Sequence, residues 1–504
     1  MRRLNVFAST KVRIRRILAA IWLAVALAAA LSCLFPSLAY GDVGVVLDES
    51  MGKDMDRITG TGHSAVYLSR VCPESPVRLR LCRPGEQGSV ISTYMALGED
   101  QRFEWNAVPL SVYLYGVDDE RERPLFGSPK IKRFLEQQYR AKHLSEYCTT
   151  RFCQTSNGAE WEQMVGANLV RGIYIFVADT TEEQDLKFIS EFNSLPNVNH
   201  FNGVRRNCAD FTRRIINSYF PHAASPDYLN DFGMTSPKAV ARSFTHYALR
   251  HPETHFRVQH YAQLPGTIKR SSEVRKGTEQ LFHSKLAVPM LLFAEHTLPV
   301  MAAFYVLTGR FNPQHESERY PTAAATETSH EAQLARAANQ RDRARQLESL
   351  ADEERAEVVG ASAEWRLYKK AFRGTVGENI ASGAIPNRRY LKHLFKQLDA
   401  AATPVADPSG ALWLELPGAN GPVRLGLTAS NVLAPDSDSK QADELLLARV
   451  GQVLKSPKHG RETMLEFKQD WTLLQNAVAA KAAPQPSSLA VSKTAGSASG
   501  GGNQ

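Results

Sequence analysis

The sequence lacks the common signatures of catalytic chains. Its 504 residues contain no Gly-rich phosphate loop, no Cys-x-x-Cys pair and no His-Glu-x-x-His motif. A nucleotide-phosphate cradle, a paired-thiol redox centre and a zincin site are therefore not written in it. Histidines are scattered, and His143, His200 and His222 do not stand at metal-ligand spacing, so no metal and no cofactor is expected. No internal repeat is visible.

An excess of charge is also lacking once the N-terminus is set aside. The chain carries 60 Lys+Arg against 52 Asp+Glu. Arg2, Arg3, Lys11, Arg13, Arg15 and Arg16 lie before residue 42 with no acid among them. The remaining 54 basic residues face 52 acidic ones, a net +2. Such a balance excludes a polyanion-binding surface built on bulk charge, so nucleic acid is not an expected partner. The pairs Arg205-Arg206, Arg213-Arg214 and Arg388-Arg389 are too short for a phosphate track and read as solvated helix faces.

The basic N-terminus, the apolar run Ile17–Phe35 and the small residues Ala39-x-Gly41 have the order of a secretory signal over residues 1–41. The alternative is an uncleaved anchor, since 17–35 nearly reaches spanning length. Either way the bulk of the chain is expected to be exported, to the periplasm or cell envelope. A second apolar stretch, Leu286–Leu307, is interrupted by Pro289, Glu295-His296 and Pro299. It reads as a core helix pair more readily than as a membrane-associated segment, because an ionisable pair at mid-bilayer is costly.

Cysteine is scarce, six in all. Cys33 belongs to the leader, which leaves Cys72, Cys82, Cys148, Cys153 and Cys208. In an oxidising compartment four of these form two disulfides and one thiol remains over. Cys148 with Cys153 could close a tight loop, which leaves Cys72 with Cys82. A hairpin turn at Pro73–Pro76 would instead set Cys82 opposite residues nearer Tyr67, so three connectivities stay open. Cys208 is the expected free thiol, because its neighbours read as a buried helical face. The plain alternative is an inert buried cysteine.

The patterning is α+β. Val43–Leu47, Ser64–Ser69, Val77–Cys82, Ser89–Tyr94, Leu110–Tyr115 and Ile173–Ala178 read as strands from β-branched and aromatic content. Pro129–Tyr147 and Thr181–Phe192 read as helices, the second with an acidic first turn. Residues 42–310 are expected to form the main domain. Residues 311–363 read as a polar linker helix and 364–480 as a small α+β module. In that module Ala411–Leu416 and Val423–Thr428 flank a hairpin turn, and Gln441–Leu454 is helical. The tail 481–504 is Ala, Ser, Pro and Gly-rich, a disordered composition.

The chemistry centres on VRRNCADFTRRIIN. Asn207 is a good N-cap, and Cys208, Phe211, Ile215 and Tyr219 recur on one helical face. The thiol of Cys208 then sits in the first turn, where unpaired amides and the helix dipole favour an anion and offer donors to an oxyanion. Upstream, GTGHSAVYL opens a strand with His63, a base for that thiol if the fold unites them. The alternative for His63 is a strand-end histidine satisfied by a carbonyl.

A strand opening with Gly62-His63, followed much later by Asn207-Cys208 at a helix start, resembles the circularly permuted papain-like thiol enzymes. These include the lecithin:retinol acyltransferase-like proteins and bacterial cell-wall amidases and peptidases. The resemblance covers residues 42–220. It implies an antiparallel sheet packed on the Cys-bearing helix, with Cys208 as nucleophile and His63 as general base. It also implies a third polar residue on the next strand, orienting the imidazole. Val77–Cys82 supplies no His, Asn or Gln, so Glu86 and Gln87 just beyond it are the candidates. The long insertion before the Cys helix departs from compact members.

Two functions follow as expectations. One is an exported thiol hydrolase or acyltransferase acting on an amide or ester, in a peptide, peptidoglycan or acyl-lipid substrate. The other is a non-catalytic envelope protein that uses the same scaffold to bind partners.

Overall fold

The computed structural model describes residues 41–51, 61–93, 103–147, 163–198, 200, 202, 205–283, 303, 305–320, 364–375, 388–455 and 460–482. Residues 1–40, where a leader is expected, Cys148 and Cys153, most of Leu286–Leu307, residues 321–363 of the expected linker helix and the residues beyond 482 lie outside the described residues.

Six antiparallel strands make the central sheet. They are β1 (Gly41–Asp48), β2 (His63–Leu68), β5 (Ser89–Ser92), β6 (Asn106–Pro109), β7 (Ile173–Thr180) and β8 (Arg257–Tyr261), in the order β6-β5-β2-β1-β7-β8. Between β2 and β5 the chain leaves the sheet as a separate hairpin, β3 (Val71–Ser75) with β4 (Arg78–Leu81). The Cys72–Cys82 disulfide fastens this hairpin. β5 rather than β3 or β4 therefore becomes the neighbour of β2.

The central strands are apolar along their whole length because both faces are covered. Val46, Ala65, Tyr67, Val90, Ile173, Ile175 and Val177 enter one core. Val43, Val45, Leu47, Val66, Leu68, Tyr174, Phe176 and Ala178 enter the other. The first core is closed by α1 (Leu110–Tyr115), α2 (Pro129–His143) and the C-terminal residues. The second is closed by α4 (Glu182–Ser194), α5 (Cys208–Tyr219) and α6 (Pro237–Arg250). A single turn, α3 (Ala167–Val170), leads into β7.

Leu110–Tyr115, expected as a strand, is helix α1. It starts directly after Pro109 and stops at Gly116, whose φ of 76° makes the left-handed cap. All six of its residues are buried. Its β-like composition reflects burial on every side, and tertiary packing overrides local propensity.

The C-terminal residues build a three-stranded sheet, β9 (Thr403–Ala406), β10 (Leu412–Gly418) and β11 (Gly421–Gly426), in the order β11-β10-β9. Two helices, α8 (Arg388–Ala401) and α9 (Ser439–Lys455), pack on it, and α10 (Arg461–Ala482) packs on α9 and on β8 of the central sheet. The expected hairpin is present with a tighter turn, and Gly418 pairs with Gly421. This part shares one continuous core with the central sheet. A buried ion cluster also ties the two together. Arg449 and Arg123 both bond Asp470, the latter at 3.1 Å, and Arg449 Nη1 donates to the Leu125 carbonyl at 2.8 Å.

Candidate active site

Helix α5 begins as its sequence implies. The Asn207 side chain accepts from the amides of Ala209 (2.9 Å) and Asp210 (3.0 Å). The Asp210 carboxylate reaches back to the Asn207 amide, completing a capping box. Asn207 Nδ2 donates to the Thr235 carbonyl at 3.0 Å, and the Thr235 hydroxyl donates to Asp210 at 2.6 Å. The cap is thus braced by the loop ahead of α6. Asn207 also engages two of the amides that a first-turn oxyanion would use.

Cys208 is the free thiol among the described residues. The residue is partly exposed, while its sulfur is screened enough that burial pushes the thiol pKa above its usual value. Hydrogen bonds from the Ser64 amide, the Ser64 hydroxyl and the Ala209 amide pull the other way, and the Asp48 carboxylate adds to the upward push. The Ser64 amide belongs to the peptide joining His63 to Ser64, so the thiol rests against the opening of β2.

Strand alternation separates the side chains at that point. Ser64 points with Val66 toward α5, where its hydroxyl lies 3.1 Å from the Thr212 hydroxyl. His63 points with Ala65 and Tyr67 toward the other core. The imidazole therefore stands on the sheet face away from the body of α5, across the His63–Ser64 peptide from the thiol's contacts. Gly62 makes this entry: its φ is +68°, and a Cβ there would collide with the Asp48 carbonyl.

His63 enters a small buried polar cluster. Its Nε2 lies 2.7 Å from Ser92 Oγ on β5. Asp48 is its register partner on β1. Asp48 Oδ2 accepts from the Tyr113 hydroxyl at 2.7 Å and lies 3.6 Å from Arg171 Nη1. Burial holds the His63 imidazole well below its usual pKa, and Arg171 pushes the same way. Burial raises the Asp48 carboxyl against the opposing pull of Arg171 and Tyr113. Both the thiol and the imidazole are consequently neutral at neutral pH.

Glu86 and Gln87 are not brought to the imidazole. They stand on the turn between β4 and β5, where Arg80 grips both Glu86 oxygens at 2.7 Å and holds its pKa down to about 2. Gln87 Nε2 donates to Glu120 at 2.6 Å. Ser92, which no local motif marks, is a polar partner of His63. Asp48 and Arg171 carried a legible signal, since each is a charge set directly against an apolar strand.

Cys72, Cys82 and Glu86 approach within 4.8 Å of one another, but both sulfurs are consumed by the disulfide, so they do not form a metal site. A cleft of about 1490 Å³ opens beside this hairpin, bordered by Glu86, Asp118, Lys142 and Gln469; neither Cys208 nor His63 lines it. No family model matches the chain, and no curated protein and no solved structure does either.

Proposed function

We propose that this chain is an exported thiol hydrolase or acyltransferase of circularly permuted papain-like design, acting on an amide or ester of a peptide, peptidoglycan or acyl-lipid substrate. One observation carries the reading. Cys208 stands at the first turn of a capped helix that packs on β2, where Ser64, the neighbour of His63, lies 3.1 Å from Thr212 one turn after Cys208, and His63 is itself anchored through Nε2 by Ser92. The reading gives Cys208 the role of nucleophile, His63 that of base and Ser92 the third role, in the permuted order.

The neutral ground state defines the chemistry. In this reading His63 takes the thiol proton as sulfur attacks the carbonyl carbon, which requires its ring to turn toward α5 from the sheet face on which it stands. Asp48, whose Oδ1 has no hydrogen-bond partner among the described residues, is the counter-charge for the imidazolium so formed. The imidazolium then protonates the leaving nitrogen or oxygen as its bond to carbon breaks, leaving a thioester on Cys208. Water or a second nucleophile gives its proton to His63, attacks the thioester and releases the thiol. A base of depressed pKa paired with a thiol of raised pKa transfers its proton only when substrate is in place, so reactivity toward bulk reagents is low.

The opposing reading is a papain-like scaffold with a structural thiol, and the same raised thiol pKa favours it. Intact-mass analysis with an activated acyl ester separates the two. The expected result is one acyl adduct on Cys208, absent in Cys208→Ser and formed at least about 100-fold more slowly in His63→Gln, the usual share of a general base. Equal, slow acylation of wild type and His63→Gln overturns the enzyme reading.

A further inference from the structure

Helix α6 sets Lys238, Arg242, His246 and Arg250 in a row, each one turn after the last. No acidic residue lies on this helix, or anywhere in the sequence between Asp231 and Glu253. The first member of the row is neutralised from outside. Lys238 is buried, and its Nζ donates to both oxygens of Glu279, on helix α7 (Gly277–His283), at 2.7 and 2.9 Å. Arg242, His246 and Arg250 have no carboxylate partner among the described residues.

Arg242 departs most from an ordinary surface arginine. The residue is half-buried, and its Nε is closed off from solvent with no hydrogen-bond partner among the described residues. Arg70, Arg257 and Arg449, also withdrawn from solvent, each meet a carboxylate. On a merely solvated face an arginine keeps its five donors in water, and sealing one away without an acceptor is destabilising. One turn on, His246 is exposed, and Arg250 Nε reaches back to its carbonyl at 3.1 Å. Burial, Arg242 and Arg250 on the same helix and Lys276 ahead of α7 all hold the His246 pKa below its usual value. Lys276 is itself paired with Asp227, so the uncompensated charge is that of the row.

We propose that Arg242, His246 and Arg250 bind the phosphoryl group of a soluble phosphate ester on the outer face of α6. Residues four apart lie about 6 Å apart along a helix, so two guanidinium groups on long stems can close on one tetrahedral anion seated over His246. A phosphoryl group brings nearly two negative charges and three acceptor oxygens, which suits three donor side chains; a carboxylate is satisfied by one guanidinium. Leu249, 42% exposed, is the one large apolar side chain of α6 turned to solvent, and Tyr247 is half-buried and stacked on His251 at 4.2 Å. So little apolar surface favours a soluble phosphate over the headgroup of a bilayer lipid. The inference does not require Cys208 to be reactive.

The test follows the imidazole Cε1–H resonances of the full chain carrying isotope-labelled histidine, with His246 assigned by its loss in His246→Gln. Inorganic phosphate, compared with chloride at equal ionic strength, is expected to move the His246 resonance saturably. His143, already paired with Asp118, should not respond. Sulfate, whose charge is constant where histidine titrates, is expected to raise the His246 midpoint by about 0.5–1 pH unit, because a bound anion favours the imidazolium. Arg250→Gln, at an exposed position, should weaken phosphate binding about tenfold, and Arg242→Gln/Arg250→Gln should abolish it. Three results overturn the proposal. They are a phosphate response no larger than that to chloride, an equal response in wild type and the double variant, and an unmoved His246 in phosphate from a chain that nonetheless sediments with phosphatidylglycerol vesicles through these arginines.

Discussion

Replacing Ser92 by alanine isolates the contact that anchors the imidazole. His63 and Ser92 are 7% and 1% exposed, and their 2.7 Å hydrogen bond lies where water does not replace it. Removing the hydroxyl leaves a buried ring nitrogen without this partner, which costs about 1–3 kcal/mol. Urea unfolding of Ser92→Ala should show that loss as a lower midpoint with an unchanged slope. The same substitution in a His63→Leu background should cost far less, because no ring nitrogen is then stranded. The difference, a coupling of about 1–2 kcal/mol, measures the pair itself. On the acylation side, Ser92→Ala should slow adduct formation on Cys208, and Ser92→Thr should restore most of it. Equal destabilisation by Ser92→Ala in both backgrounds refutes the assignment of Ser92 to His63.

Other outcomes follow from the same geometry. Because the folded state holds the His63 pKa well below 6.5, the unfolded chain binds this proton first. Stability is full above about pH 6.5 and falls as pH drops through the window beneath it; His63→Leu should flatten that part of a stability-against-pH curve. Asp470→Ala strands the guanidinium groups of Arg449 and Arg123 inside the core that joins the C-terminal residues to the central sheet. It should cost about 3–5 kcal/mol by urea unfolding. Gly62→Ala forces a Cβ into the Asp48 carbonyl at a positive φ. It should destabilise by more than about 1–2 kcal/mol and displace His63, seen as a changed imidazole resonance.

Local chemistry made several elements legible. Continuous apolar runs marked β1, β2 and β7, because strands covered on both faces have no polar side to show. Asn207 announced the start of α5, because capping involves only residues a few positions apart. The pairing of Cys72 with Cys82 was left open by spacing, and the hairpin of β3 and β4 decided it by setting their Cα atoms 4.9 Å apart. Leu110–Tyr115 misled for a physical reason: full burial selects Val, Leu and Tyr in a helix as readily as in a strand.

The sequence by itself determined that Cys208 opens a capped helix and that His63 opens a strand. Both facts rest on interactions within a few residues. Tertiary structure alone decided what surrounds them. Spacing points to the strand next in sequence for a polar neighbour of His63. The β3–β4 hairpin leaves the sheet, however, and β5 with Ser92 stands beside β2 instead. Strand order is set by how two apolar faces are covered, information spread over the whole chain rather than held in any motif. The same packing encloses the thiol and the imidazole in low-dielectric surroundings and keeps both neutral, a state that residue spacing does not encode.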